Sequence, residues 1–124
     1  MLPRKNRLDL KKDFFEIKRK GRLLRGKLFN FLFQQEQPNF NKKLLTAELY
    51  PPVFAFVVSK KIDKRAVKRN KAKRLLSEVV KSFLSQIQPG VKGVFLVKKE
   101  ILGKSFAEIK NEIEVIFKKG DLFK

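Results

Sequence analysis

The chain has 124 residues, enough for one domain with a single core. Lys and Arg number 31 against 12 Asp and Glu, a formal charge of +19, and such self-repulsion destabilises a compact fold unless a polyanion relieves it. The chain has no cysteine and no histidine, which excludes a disulfide framework, thiolate or imidazole zinc sites and Ser/His or Cys/His nucleophile systems.

Hydrophobic residues make up 43%, so a packed core is expected rather than a disordered chain. No apolar run approaches the ~18 residues that span a bilayer. The start, Met1 to Arg7, is charged, and no apolar stretch follows it, unlike a signal peptide. A cytoplasmic protein is expected. Nucleic acid is the first candidate partner and an anionic membrane surface the second.

Residues 1–8 read as a basic extended arm. A first helix is predicted from Asp9 to Lys20. Asp9 can cap it, Leu10, Phe14 and Ile17 recur at helical spacing, and Gly21 can end it. Leu28 to Phe33 alternates as a strand. Phe29, Phe31 and Phe33 form the face expected to pack under helices, which leaves Leu28, Asn30 and Leu32 on the more open face. A loop with a short strand over Leu44 to Tyr50 is expected within residues 34–52, before Pro51-Pro52 breaks the chain. Val53 to Val58 suits a central strand buried on both faces.

Within Ser59 to Phe83, the spacing of Ala72, Leu75, Leu76, Val79, Val80 and Phe83 predicts a long amphipathic helix. Pro89-Gly90 marks a turn and Val91 to Val97 a further strand. Ser105 and Glu108 have capping-box spacing. The stripe Phe106, Ile109, Ile113, Ile116 and Phe117 follows, and Gly120 can end that last helix. The order predicts an α/β (α+β) domain: a single sheet of about four strands covered by helices.

Nine of the fifteen residues 60–74 are basic, and only Asp63 is acidic. They surround the start of the long helix, where unpaired N–H groups already carry partial positive charge. A phosphate backbone offsets both charges. Arg65, Lys68 and Arg69 fall near the direction of the later apolar stripe, so the helix start must project past the core or unwind. Asn70, Arg74, Ser77 and Lys81 fall on the opposite side. An ordinary solvated lysine face normally interleaves acids at i+4, and this one does not. A second cationic surface lies in the first 27 residues, with eleven basic and three acidic side chains. Two such regions favour a large polyanion over a single phosphate.

Other groups point to no chemistry of their own. The three phenylalanines could form a base-stacking platform, but a core role is the preferred reading. Phe14 and Phe15 cannot both point inward. Glu108 and Glu112 share a helix face at i, i+4, where a solvated face is preferred over an acid/base pair. There is no phosphate-cradling glycine loop. No metal site and no catalytic residue is expected in the protein.

The run Phe56-Val57-Val58-Ser59-Lys60-Lys61, followed by Ala66-Val67-Lys68-Arg69-Asn70-Lys71-Ala72-Lys73-Arg74-Leu75, resembles the signature of the bacterial ribonuclease P protein subunit. Leu2-Pro3, Arg7-Leu8, Asp13-Phe14, Gly21, Phe117 and Leu122-Phe123 fit the same family. The resemblance implies a left-handed βαβ crossover, the long helix joining two parallel strands. It implies a protein that binds the catalytic RNA and the 5′ leader of precursor tRNA. That RNA removes the leader by Mg²⁺-dependent hydrolysis, the Mg²⁺ being held mainly by RNA and substrate. Carried across, the catalytic-RNA-binding residues are Arg65, Lys68, Arg69, Asn70, Lys71, Lys73 and Arg74. The leader-binding residues are Phe14, Lys60 and Lys61. A monomer is expected apart from RNA. Lys71 replaces an arginine of the motif, Ser77 stands where another arginine is often found, and Lys18 and Leu32 stand where cleft aromatics are often seen. The rival readings are a ribosomal or chaperone-like RNA-binding protein, a stand-alone nuclease and a membrane-surface protein.

Overall fold

The computed structural model describes residues 2–35 and 50–124. In chain order it contains helix α1 (Leu10–Lys20), strands β1 (Arg22–Arg25), β2 (Phe29–Gln35) and β3 (Val53–Val57), helix α2 (Ala66–Phe83), strand β4 (Val91–Val97) and helix α3 (Phe106–Lys119). The strands form one four-stranded sheet in the order β1-β2-β4-β3. β1 with β2 and β2 with β4 are antiparallel, whereas β3 and β4 are parallel and joined through α2. A mixed α+β fold with one four-stranded sheet is what the sequence predicted, and the helical crossover between parallel strands is what the resemblance implied. β1 was not expected, and β3, read as a central strand, is an edge strand.

Local chemistry sets the boundaries. The Asp9 carboxylate accepts the Lys11 N–H at 3.1 Å and caps α1. The Ser105 hydroxyl accepts the Glu108 N–H at 3.2 Å and caps α3. The return arm of that capping box is not made, because the Glu108 carboxylate instead faces Lys104 at 3.7 Å. Gly120 closes α3, its N–H bonded to the Ile116 carbonyl.

One face of the sheet carries the main core. Phe29, Phe31, Phe33, Phe54 and Phe95 are buried there beneath Leu76, Val79, Val80 and Phe83 of α2 and Ile109, Ile113, Ile116 and Phe117 of α3. Gly93 of β4 is part of this packing. A Cβ there would sit 2.5 Å from the Phe31 ring, so the missing side chain is the space that ring fills. The core reading of the three phenylalanines holds.

The other face is not open. α1 folds back across it, and Leu8, Ile17, Leu32, Ala55 and Val94 form a second, smaller cluster. Leu32 is buried in this cluster, and Leu28, just ahead of β2, is buried in the main core, so neither lies on the open face expected for them. Alternation tells which side a residue takes, not whether a second layer covers that side. The N-terminal arm is likewise no free extension. Leu2, Asn6 and Leu8 are buried, Arg4–Asn6 form a 3-10 turn, and Arg7 bridges to Phe54 in parallel register. Gln34 and Gln35 continue β2 rather than starting a loop. The short strand expected over Leu44 to Tyr50 lies outside the described residues, Tyr50 excepted.

Candidate nucleic-acid interface

The site is built on the first turns of α2 and the chain leading into them. Arg65 is the N-cap residue, and its own side chain makes no cap. It pairs with Asp63 instead. The Asp63 carboxylate accepts the Arg65 backbone N–H at 2.9 Å, Nε at 3.1 Å and Nη2 at 3.0 Å. These donors, the side chain first, hold the Asp63 carboxyl down at about 2 and push the Arg65 guanidinium up. Arg69 lies one turn further on and is half-buried. Its Nη1 donates to the Asp63 and Lys64 carbonyls, both at 2.9 Å. The two arginines knit the entry turn onto the helix.

The remaining cations are uncompensated. The first turn of α2 holds no acidic residue. Among the described residues, Lys68, Lys71, Lys73 and Arg74 have no carboxylate within salt-bridge reach, Asp63 being spent on Arg65. They divide over two sides of the helix. Arg65, Lys68 and Lys71 line a hollow of about 200 Å³ with Lys104, which comes from the connection before α3; Leu75 and Ile101 also line it. Asn70, Lys73 and Arg74 line a wider groove of about 590 Å³, across which stands Arg7 of the N-terminal arm. Leu2, Phe54 and Phe56 supply apolar lining there.

The helix start thus projects as the spacing required, with Arg65 outside the helix and Lys68 exposed. One assignment needs correction. Ser77, read as solvent-facing, is buried, and its hydroxyl donates to the Lys73 carbonyl at 2.8 Å. Such back-bonding lets a small polar residue sit against the groove without an orphaned hydroxyl. Sequence reasoning did not assign Arg7, Phe56 or Lys104 to this surface. The available signal for Arg7 was its place between Leu2 and Leu8, apolar residues that anchor the arm.

Phe14 lies on the α1 side of the sheet. Phe14 is partly buried on α1 and packs on the small cluster with Val57 and Leu96. There the register aligns Arg25, Asn30, Leu96 and Val57 in one row across four strands. Lys60 and Lys61 are exposed in the turn that follows Val57 and Val58. Phe15 is exposed, so Phe14 is the inward member of the pair. Of the residues departing from the family pattern, Leu32 is buried beneath α1 and Lys18 is exposed.

A family model described as ribonuclease P matches residues 2–121. This chain belongs to the ribonuclease P protein family. A ribonuclease P protein component from a Pseudanabaena species is 30% identical over 120 residues, covering 97% of this chain and 95% of that one. Its counterpart from a Synechococcus species is 28% identical over 122 residues, covering 98% and 86%. The fold matches the RNase P protein of Staphylococcus aureus with a TM-score of 0.77 at 24% identity, covering 96% of this chain and 98% of that one. Among the described residues, no three acidic side chains gather into a group that could hold a metal ion. No described helix is long and apolar enough to cross a membrane.

Proposed function

We propose that this chain, as a ribonuclease P protein component, binds the catalytic RNA through the start of α2 and takes the 5′ leader of precursor tRNA against the α1 side of the sheet. Arg65, Lys68, Arg69, Asn70, Lys71, Lys73 and Arg74 meet the RNA subunit. Phe14, Lys60 and Lys61 meet the leader. The RNA subunit carries out the phosphodiester hydrolysis that frees the leader. Mg²⁺ belongs with RNA and substrate: Asp63 is already held by Arg65, and among the described residues no three acidic side chains gather at this surface. The protein acts as a monomer and contributes charge, shape and orientation.

The observation that carries this reading is the uncompensated cluster of cations at the positive end of α2's dipole. Internal packing leaves it unneutralised, and phosphate groups satisfy both the side chains and the helix terminus. Family membership favours the ribonuclease P reading over a ribosomal one. The test is reconstitution with a bacterial ribonuclease P RNA and precursor tRNA. At a Mg²⁺ concentration where the RNA alone is silent, adding the protein should release the leader. Identical cleavage with and without protein would refute the proposal.

A further inference from the structure

The wide groove beside α2 has a feature that phosphate binding does not use. Its lining includes the ring of Phe56, at the outer strand of the sheet. One side of that ring stacks on Phe95, centroids 5.2 Å apart and planes 21° from parallel. The ring is only partly buried, unlike Phe54 two residues earlier. Ser77, which lines the same groove, is small, and its hydroxyl is turned to the Lys73 carbonyl. Asn70 stands at the rim, exposed, and its side-chain amide has no partner among the described residues. Arg7, Lys73 and Arg74 complete the rim from two separate elements, with Glu78 lining the groove as well.

We propose that this groove receives one unstacked nucleobase of the partner RNA. The inference rests on the RNA-binding reading above and adds a base-recognition subsite to it. An unstacked base offers an apolar face and a polar edge, and RNA-binding proteins stack such bases on aromatic rings. Phe56 supplies the ring. The Asn70 amide supplies one donor group and one acceptor, the pair that reads a base edge. The flanking phosphates lie over Arg7, Lys73 and Arg74. The volume of about 590 Å³ is within the ~300–1,000 Å³ usual for small-ligand pockets. Three cations against the single carboxylate of Glu78 leave the groove net positive, which favours a polyanion over an apolar peptide.

Stacking and phosphate contact differ in their salt response, and this separates them. Affinity of the full-length protein for a bacterial ribonuclease P RNA is measured across a range of KCl for wild type, Phe56→Leu, Asn70→Ala and Arg74→Ala. Phe56→Leu should weaken binding about tenfold at every salt concentration, the size of one lost base stack. The slope of log K against log salt should stay as in wild type. Asn70→Ala should act in the same direction, also without changing the slope. Arg74→Ala should make the slope shallower by about one unit. Ultraviolet cross-linking of the assembled complex should join a nucleotide to the peptide containing Phe56. If Phe56→Leu lowers the melting temperature, Asn70→Ala decides, since Asn70 is exposed. Unchanged affinity in both Phe56→Leu and Asn70→Ala, with the Arg74→Ala effect intact, would overturn the base subsite and leave RNA binding standing. No salt-dependent RNA binding by wild type would instead overturn the reading beneath it.

Discussion

Arg69 and Arg74 are five positions apart on one basic stretch and look interchangeable in the sequence. In the structure they do different work. Arg69 gives two hydrogen bonds to carbonyls of the preceding turn, whereas Arg74 is exposed at the groove rim and has no ion-pair partner among the described residues. Arg69→Ala should therefore weaken RNA binding and also cost about 1 kcal/mol of stability, below the ~1.5–3 kcal/mol usual for charged hydrogen bonds because the site is partly solvated. For a domain of this size that lowers the melting temperature by about 4 °C. Arg74→Ala should weaken RNA binding and leave stability within about 0.5 kcal/mol of wild type. Thermal unfolding of the free proteins checks both. Equal melting temperatures for the two variants would show that the Arg69 contacts do not hold the entry turn. That Arg69 would be a surface cation was legible from composition. That its guanidinium turns back was not, because a helical wheel gives a direction and says nothing of the path the chain takes before the helix.

At the scale of elements, α1 and α3 were the most legible, since each carries its own boundary signals, whereas α2 was legible only through its apolar spacing. Asp9, Ser105 and Gly120 are chemical marks that act within one turn of where they stand. β1 carries no such mark. Its sequence, Arg22-Leu23-Leu24-Arg25, has two apolar residues between cations, and it exists because of distant groups. The Glu112 carboxylate on α3 accepts the Lys27 and Leu28 N–H groups at 2.7 and 2.8 Å. Lys98 Nζ donates to the Gly26 carbonyl at 2.6 Å. The turn between β1 and β2 is thus clamped from two sides by residues more than seventy positions away. The sequence reading treated Glu112 as half of a solvated helix face, and no local pattern could have revealed this use. Glu112→Ala should leave the partly buried Leu28 N–H without an acceptor and cost about 1–2 kcal/mol. Amide exchange should speed up at Lys27 and Leu28 before it changes in β4. Unaltered exchange at those two amides would mean that the β1–β2 pairing alone fixes the turn.

The whole molecule carries a formal charge of +19, and the two ways of screening that charge oppose each other. In the free protein, salt weakens repulsion among cations such as Lys68, Lys71, Lys73 and Arg74, which lack carboxylate partners. The four ion pairs at Lys20, Lys104, Lys118 and Lys92 have separations of 3.4–3.8 Å, and those at Lys20, Lys104 and Lys118 are largely solvated. Losing such pairs to screening costs little. The melting temperature should therefore rise as NaCl goes from ~0.02 to ~0.5 M, over which the Debye length shrinks from about 20 Å to about 4 Å. RNA affinity should move the other way. The six cations Arg65, Lys68, Arg69, Lys71, Lys73 and Arg74, each meeting one phosphate, give a slope of log K against log salt on the order of −5. Conditions that best preserve the free protein are then the worst for assembly. A melting temperature that falls as salt is added would mean that attractive pairs outweigh the repulsion, and the excess charge would lose its force as an argument for a polyanionic partner.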